Sequence, residues 1–178
     1  MSAAGCIVFA GGGTGGHIYP ALAIAEHVNR PVPTPVHVIC SPRPIDAEIL
    51  TAARVAFTPI EAEPFGLSPA FVRSWRPAVR AAKRVLEQLR AEHGSVELVA
   101  MGGFVSPPAA RAARALGVPI TLVNLDAVPG RANRLVSKWS TRVVTACETD
   151  GLGNSVETVG PIVRGAALAP GPKAHCRL

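Results

Sequence analysis

The sequence predicts an α/β domain in which an open parallel sheet is covered by helices. Three observations carry that expectation. Apolar runs of strand length alternate with longer segments of helical periodicity, the pattern of strands joined by helical crossovers. The first run ends in a glycine cluster whose Gly11, Gly13 and Gly16 satisfy GxGxxG. A second glycine turn, Gly102 and Gly103, again separates a strand from a helix. With 178 residues the chain has the length of one ordinary domain, and 48% hydrophobic against 17% charged residues excludes a disordered chain.

Taken in order, Cys6 to Ala10 is the first strand, and Ala21 to Val28, beyond the glycines and Pro20, is the first helix. Val36 to Cys40 is apolar and β-branched, a second strand; Asp46 to Ala53 is helical, and Val55 to Ile60 forms a third short strand. Between Pro69 and His93 the residues Val72, Val79, Val85, Leu86 and Leu89 recur near helical spacing, with Gly94 as the stop and Pro77 as a point where the helix kinks or divides. Val96 to Met101 is a strand, Pro108 to Leu116 a helix, Ile120 to Asn124 a strand. Arg131 to Trp139 reads as a short helix and Arg142 to Ala146 as a strand, after which the pattern thins into Gly151, Gly153, Gly160 and Gly165.

The formal charge of +6 favours anionic partners without choosing among them. Four cysteines, Cys6, Cys40, Cys147 and Cys176, show no metal-ligand spacing, and two lie in strands as small hydrophobes. No apolar stretch approaches the roughly 18 residues needed to span a bilayer and no leader-like segment opens the chain, so the expected place is cytoplasmic, with peripheral membrane attachment left open. No nucleic-acid motif accompanies the charge, so no nucleic-acid partner is expected.

A GxGxxG turn lets the backbone curl tightly and present N–H groups, with a helix N-terminus, to a phosphate. The same turn also serves close packing of helix on strand. Dinucleotide binding calls for an acid near the end of the second strand; this chain has Cys40 and Ser41 there, and Arg43 just beyond suits the extra phosphate of NADP, so an NADP-dependent reductase stands as an alternative. His17 follows the glycines at the positive end of the first helix, which disfavours imidazolium and leaves a neutral ring able to take a proton; capping the loop is its structural counterpart. The segment Met101 to Pro107 repeats the strand-turn-helix arrangement and adds Ser106. Two such turns on one sheet edge make a cleft wide enough for a pyrophosphate.

The run from Gly11 through Gly12, Gly13, Thr14, Gly15, Gly16 and His17 to Ala23 resembles the first glycine loop of the MurG-type N-acetylglucosaminyltransferases, glycosyltransferase family 28. Met101 to Pro107 resembles their second loop. Gly130, Asn133 and Arg134, and Val159-Gly160 with Val163-Arg164, also fit, so the resemblance runs from about Cys6 to Arg164. It implies a Rossmann-like domain over residues 1–164, half of a two-domain GT-B enzyme, with 165–178 as linker or tail and the donor half absent. The implied reaction is inverting, metal-independent transfer of N-acetylglucosamine from UDP-N-acetylglucosamine to a polyprenyl-pyrophosphate-linked sugar, with no cofactor. His17 matches the candidate base. Gly12, Gly13, Thr14, Gly15, Gly16, Gly102, Gly103, Phe104, Ser106 and Asn133 match substrate-binding positions, and Arg164 a donor contact. Where the family has His-Glu-Gln-Asn, this chain reads Val123-Asn124-Leu125-Asp126, leaving Asp126 in the asparagine's place; Ala100 stands where glycine is usual.

Phe71, Arg73, Trp75, Arg76, Arg80, Lys83 and Arg84 interleave aromatic and basic side chains. This suits anionic lipid headgroups, with Phe71, Trp75 and Arg76 as the contact, and equally a solvated helix face. Activity is expected only with a donor-binding domain or subunit; a non-catalytic remnant that binds lipid-linked sugars is the remaining alternative.

Overall fold

Short strands come to lie parallel here because, except before the last strand, a helix returns the chain to the same sheet end. The computed structural model describes residues 5–13, 15–28, 33–64, 66, 68–153 and 156–162. Among them the elements follow as β1 (Cys6–Ala10), α1 (Gly15–Val28), β2 (Val36–Cys40), α2 (Pro44–Ala52), β3 (Ala56–Pro59), α3 (Pro69–His93), β4 (Val96–Ala100), α4 (Ser106–Ala115), β5 (Ile120–Asn124), α5 (Arg131–Ser137), β6 (Arg142–Thr145) and β7 (Val156–Thr158). All strand pairs are parallel, in the order β3-β2-β1-β4-β5-β6-β7, with Phe9 opposite Val38 on one side and Val99 on the other. The expected α/β architecture is the observed one.

The chain winds outward from β1 to β3, then crosses through α3 to the far side of β1 and winds outward again. Helices therefore fall on opposite faces. Ile18 and Leu22 of α1 and Leu50 of α2 pack with Phe9, Val38, Val99 and Val123. On the other face Ala82 and Leu86 of α3, Ala109 and Ala113 of α4 and Val136 of α5 pack with Val8, Leu98, Ile120 and Leu122. Each fully buried large apolar side chain contributes about 1.5–3 kcal/mol, so this double layer holds the strand ends in fixed register.

Four expectations change. α1 begins at Gly15 rather than Ala21, so Pro20 lies inside it and the glycine-histidine segment is its first turn. α3 is one helix through Pro77: Ser68 caps it by accepting from the Phe71 N–H at 3.1 Å, and Gly94 ends it. Its buried stripe is Ala78, Ala82, Leu86 and Leu89, while Val72 is exposed; small residues suit close packing on the buried alanines of α4. α4 starts at Ser106, because Pro107 and Pro108 fit a first turn whose N–H groups have no helical partner. The short edge strand β7 was not expected; only Val156 in it is even half-buried, and Glu157 pairs with Arg142.

Candidate active site

The chain reverses its winding between β1 and β4, and in open α/β sheets ligands sit beyond the strand ends at such a point. The loops leaving these strands are tied together by one buried residue. Ser106 Oγ accepts from the Gly102 N–H at 3.0 Å and lies 2.6 Å from the Ala10 carbonyl oxygen and 2.7 Å from that of Gly102, either of which takes its proton. Its hydroxyl is enclosed, so it sets loop geometry instead of facing a ligand as expected.

Gly13 has φ +92°, a conformation that L side chains rarely adopt. Its N–H donates to Asp46 Oδ2 at 2.8 Å, and its carbonyl oxygen accepts from Arg43 Nη1 at 2.6 Å. The ring of Phe104 covers it so closely that a Cβ would stand 2.3 Å from Cε1, and the Arg43 guanidinium lies 5.4 Å from the ring centroid. Gly103, at φ +73°, passes so near Gly12 that a Cβ would come within 2.8 Å of the Gly12 carbonyl oxygen. Gly12 is buried beneath the surface; Gly15 and Gly16, in the first turn of α1, are half-buried and exposed. Thr14 and Arg164 lie outside the described residues.

His17 leaves the first turn of α1 and lays its ring over the second loop; a Cβ on Gly102 would be 3.1 Å from its Nε2. Its Nδ1 is enclosed and has no hydrogen-bond partner among the described residues. Burial holds the imidazole below its ordinary pKa of 6.5, opposed by the negative charges of Asp126 and then Asp46. The ring is therefore neutral at neutral pH, as the sequence suggested, although desolvation does the shifting.

Asn133 sits on α5, 3% exposed, and its Nδ2 donates to Asn124 Oδ1 at 2.8 Å. Asn124 in turn donates from Nδ2 to the Asp126 carbonyl oxygen at 2.6 Å. That leaves Asn133 Oδ1 buried without a partner among the described residues. His17, Gly103, Phe104, Asp126 and Asn133 share a cleft of about 430 Å³, with Pro64 on its rim. The imidazole and the Asn133 amide oxygen lie side by side over Gly102, where a Cβ would stand 3.1 Å from His17 Nε2 and 3.3 Å from Asn133 Oδ1.

The aromatic-basic group is elsewhere. Trp75, Arg76 and Arg80 of α3 line a second cavity, about 520 Å³, with Arg111 of α4, while Phe71, one turn away, meets Trp75 in a tilted contact at 5.4 Å between centroids. Sequence reasoning missed Arg111, which α4 brings alongside, and Asn124, whose only signal is an amide closing an apolar strand. It missed Asp46 too, since an acid in a first helical turn reads as a dipole partner. The reductase alternative rested on Arg43, whose guanidinium is engaged by Gly13 and Phe104.

Comparison with known proteins agrees with this fold. The model of the glycosyltransferase family 28 N-terminal domain matches residues 7–145. UDP-N-acetylglucosamine--N-acetylmuramyl-(pentapeptide) pyrophosphoryl-undecaprenol N-acetylglucosamine transferase of Paenarthrobacter aurescens is 34% identical over 146 residues, covering 79% of this chain and 38% of the relative. The enzyme of the same name from Desulforudis audaxviator is 36% identical over 149 residues, covering 82% and 40%. The chain thus spans about two-fifths of the length of these curated relatives. Among solved structures, Acinetobacter baumannii MurG shares the fold with TM-score 0.75 at 23% identity, covering 86% of this chain and 45% of that one. A UDP-GlcNAc 2-epimerase from Neisseria meningitidis does so with TM-score 0.61 at 13% identity, over 86% of this chain and 45% of that one. This chain belongs to the glycosyltransferase family 28 N-terminal domain family.

Proposed function

We propose that this domain, extending to about Arg164, is the acceptor-binding half of an inverting transferase that moves N-acetylglucosamine from UDP-N-acetylglucosamine to a polyprenyl-pyrophosphate-linked sugar. The observation that carries the reading is a neutral His17 set over two glycine loops, on a cleft it shares with Asp126 and Asn133. The first N–H groups of α1 have no intrahelical partners and form a site for the acceptor's pyrophosphate. His17 takes the proton of the acceptor hydroxyl as its oxygen bonds to the anomeric carbon; the bond from that carbon to the phosphate oxygen breaks, and UDP leaves. Asp126 steadies the imidazolium that results. Asn133, which donates to Asn124 Oδ1, orders the floor of the cleft beside His17. The nucleotide is held by a second domain, of the same polypeptide or of a partner.

The reading is tested by mixing this chain with the donor-binding half of an actinobacterial relative and following radiolabelled N-acetylglucosamine from UDP into a lipid-soluble product. Transfer by the mixture, and by neither part alone, is expected. No transfer from two folded parts, or saturable NADPH binding by this chain, overturns the reading.

We further propose that Phe71, Trp75 and Arg76 seat the domain on the cytoplasmic face of an anionic membrane. In support, Arg76, Arg80 and Arg111 cluster beside Trp75. Cosedimentation with anionic vesicles should fall with salt, because charges beyond a Debye length of about 8 Å at physiological ionic strength are screened. It should fall further in a Phe71→Ala, Trp75→Ala variant. Equal pelleting with neutral and anionic vesicles, unchanged by the substitutions, refutes the patch.

A further inference from the structure

The polar cluster under the first glycine loop takes no part in the reaction described above. Asp46 is 0% exposed in the first turn of α2, yet it does not cap that helix, whose N-cap makes no side-chain bond. Its Oδ2 instead accepts from the Gly13 N–H at 2.8 Å, the Ser41 N–H at 3.1 Å and the Ser41 hydroxyl at 2.5 Å. Its Oδ1 has no partner among the described residues. The same short segment sends Arg43 Nη1 to the Gly13 carbonyl oxygen at 2.6 Å. Both polar groups of Gly13 are therefore held by ionised side chains, whose hydrogen bonds are roughly twice as strong as neutral ones. A buried carboxylate is costly unless its bonds compensate, and these bonds all converge on the loop and on the turn that adjoins it.

We propose that Asp46, assisted by Arg43, is a positioning residue that fixes the Gly13 peptide and so aims the start of α1, with His17 on it, at the cleft. Asp46 contacts neither substrate nor reacting atoms and acts through Gly13. What the loop holds rests on the function proposed above; the clamp does not.

The test uses the full chain, its Asp46→Asn variant, and Arg43→Met, which removes an exposed guanidinium and spares the core. In ¹⁵N-labelled Asp46→Asn, exchange of the Gly13 amide hydrogen should accelerate roughly tenfold to a hundredfold, the loss of one hydrogen bond to a charged acceptor. The His17 ring should titrate at lower pH, since a nearby negative charge is gone. Inorganic pyrophosphate, followed at the Gly15 and Gly16 amides, should bind about tenfold more weakly to both variants, as a misplaced loop presents its donors poorly. A role confined to stability leaves pyrophosphate affinity unmoved in folded protein, whereas the His17 midpoint follows the lost charge in either case. Unchanged Gly13 exchange and unchanged pyrophosphate affinity in both folded variants overturn the inference. If wild type binds no pyrophosphate, the functional reading fails; Gly13 exchange in both folded variants then decides the clamp, and its invariance rejects it.

Discussion

Replacing His17 by Ala in the reconstituted pair should lower turnover by roughly 10²–10⁴-fold, the usual worth of a positioned general base. The fold should survive, because the ring lies against two glycines and a cleft instead of inside the apolar layers. Binding of the acceptor should change little, since the proton moves only as the bond forms. The wild-type pair should show an acid limb in its pH profile, rising as His17 loses its proton. Burial lowers that pKa, so the limb should fall below 6.5 and the plateau be reached by neutral pH. Asp126→Asn removes the charge that opposes the shift most and should move the limb to still lower pH. Radiolabel transfer across pH 4.5–8, with circular dichroism at each point, gives both results. Full turnover by His17→Ala, or an acid limb above 6.5, would remove the base assignment.

Gly13→Ala should be strongly destabilising for a single added methyl. Ala at φ +92° carries backbone strain of about 1–3 kcal/mol, and its Cβ, 2.3 Å from the Phe104 ring, adds an overpacking cost of about 1–3 kcal/mol. Together they should remove about 2–6 kcal/mol of stability, read by urea denaturation, and displace the loop in whatever remains folded. The two costs can be separated. Phe104→Ala in the same chain relieves the clash and leaves the strain, so the double variant should be more stable than the sum of the single effects predicts. Simple additivity would mean that the ring does not confine Gly13.

Strand positions were legible because buried parallel strands are apolar runs bounded by turn residues; Cys6–Ala10, Val36–Cys40 and Ile120–Asn124 fall where the sequence puts them. The glycine loops and His17 were legible for a different reason, the rarity of residues that permit such turns. What was not legible depended on tertiary contact. A helix opening on Gly15-Gly16 and containing Pro20 contradicts local propensity, and the sheet below imposes it. No periodicity in the sequence tells that Asp46 reaches the loop before α1, or that Asn124 and Asn133, nine residues apart, share a hydrogen bond. The alanines of α3 and α4 were passed over because pattern reading weights large residues, whereas a close helix contact selects small ones.

The buried Ser106 hydroxyl, which joins the ends of β1 and β4, also bears on how affinity is divided in the proposed reaction. Ordering the backbone of one residue costs about 1–2 kcal/mol, and for these two turns that entropy is lost on folding, before any acceptor arrives. A preorganised cradle of this kind discriminates by fit and not by wrapping. In the proposed reaction, conformational adjustment on acceptor binding would then fall to groups other than these two turns.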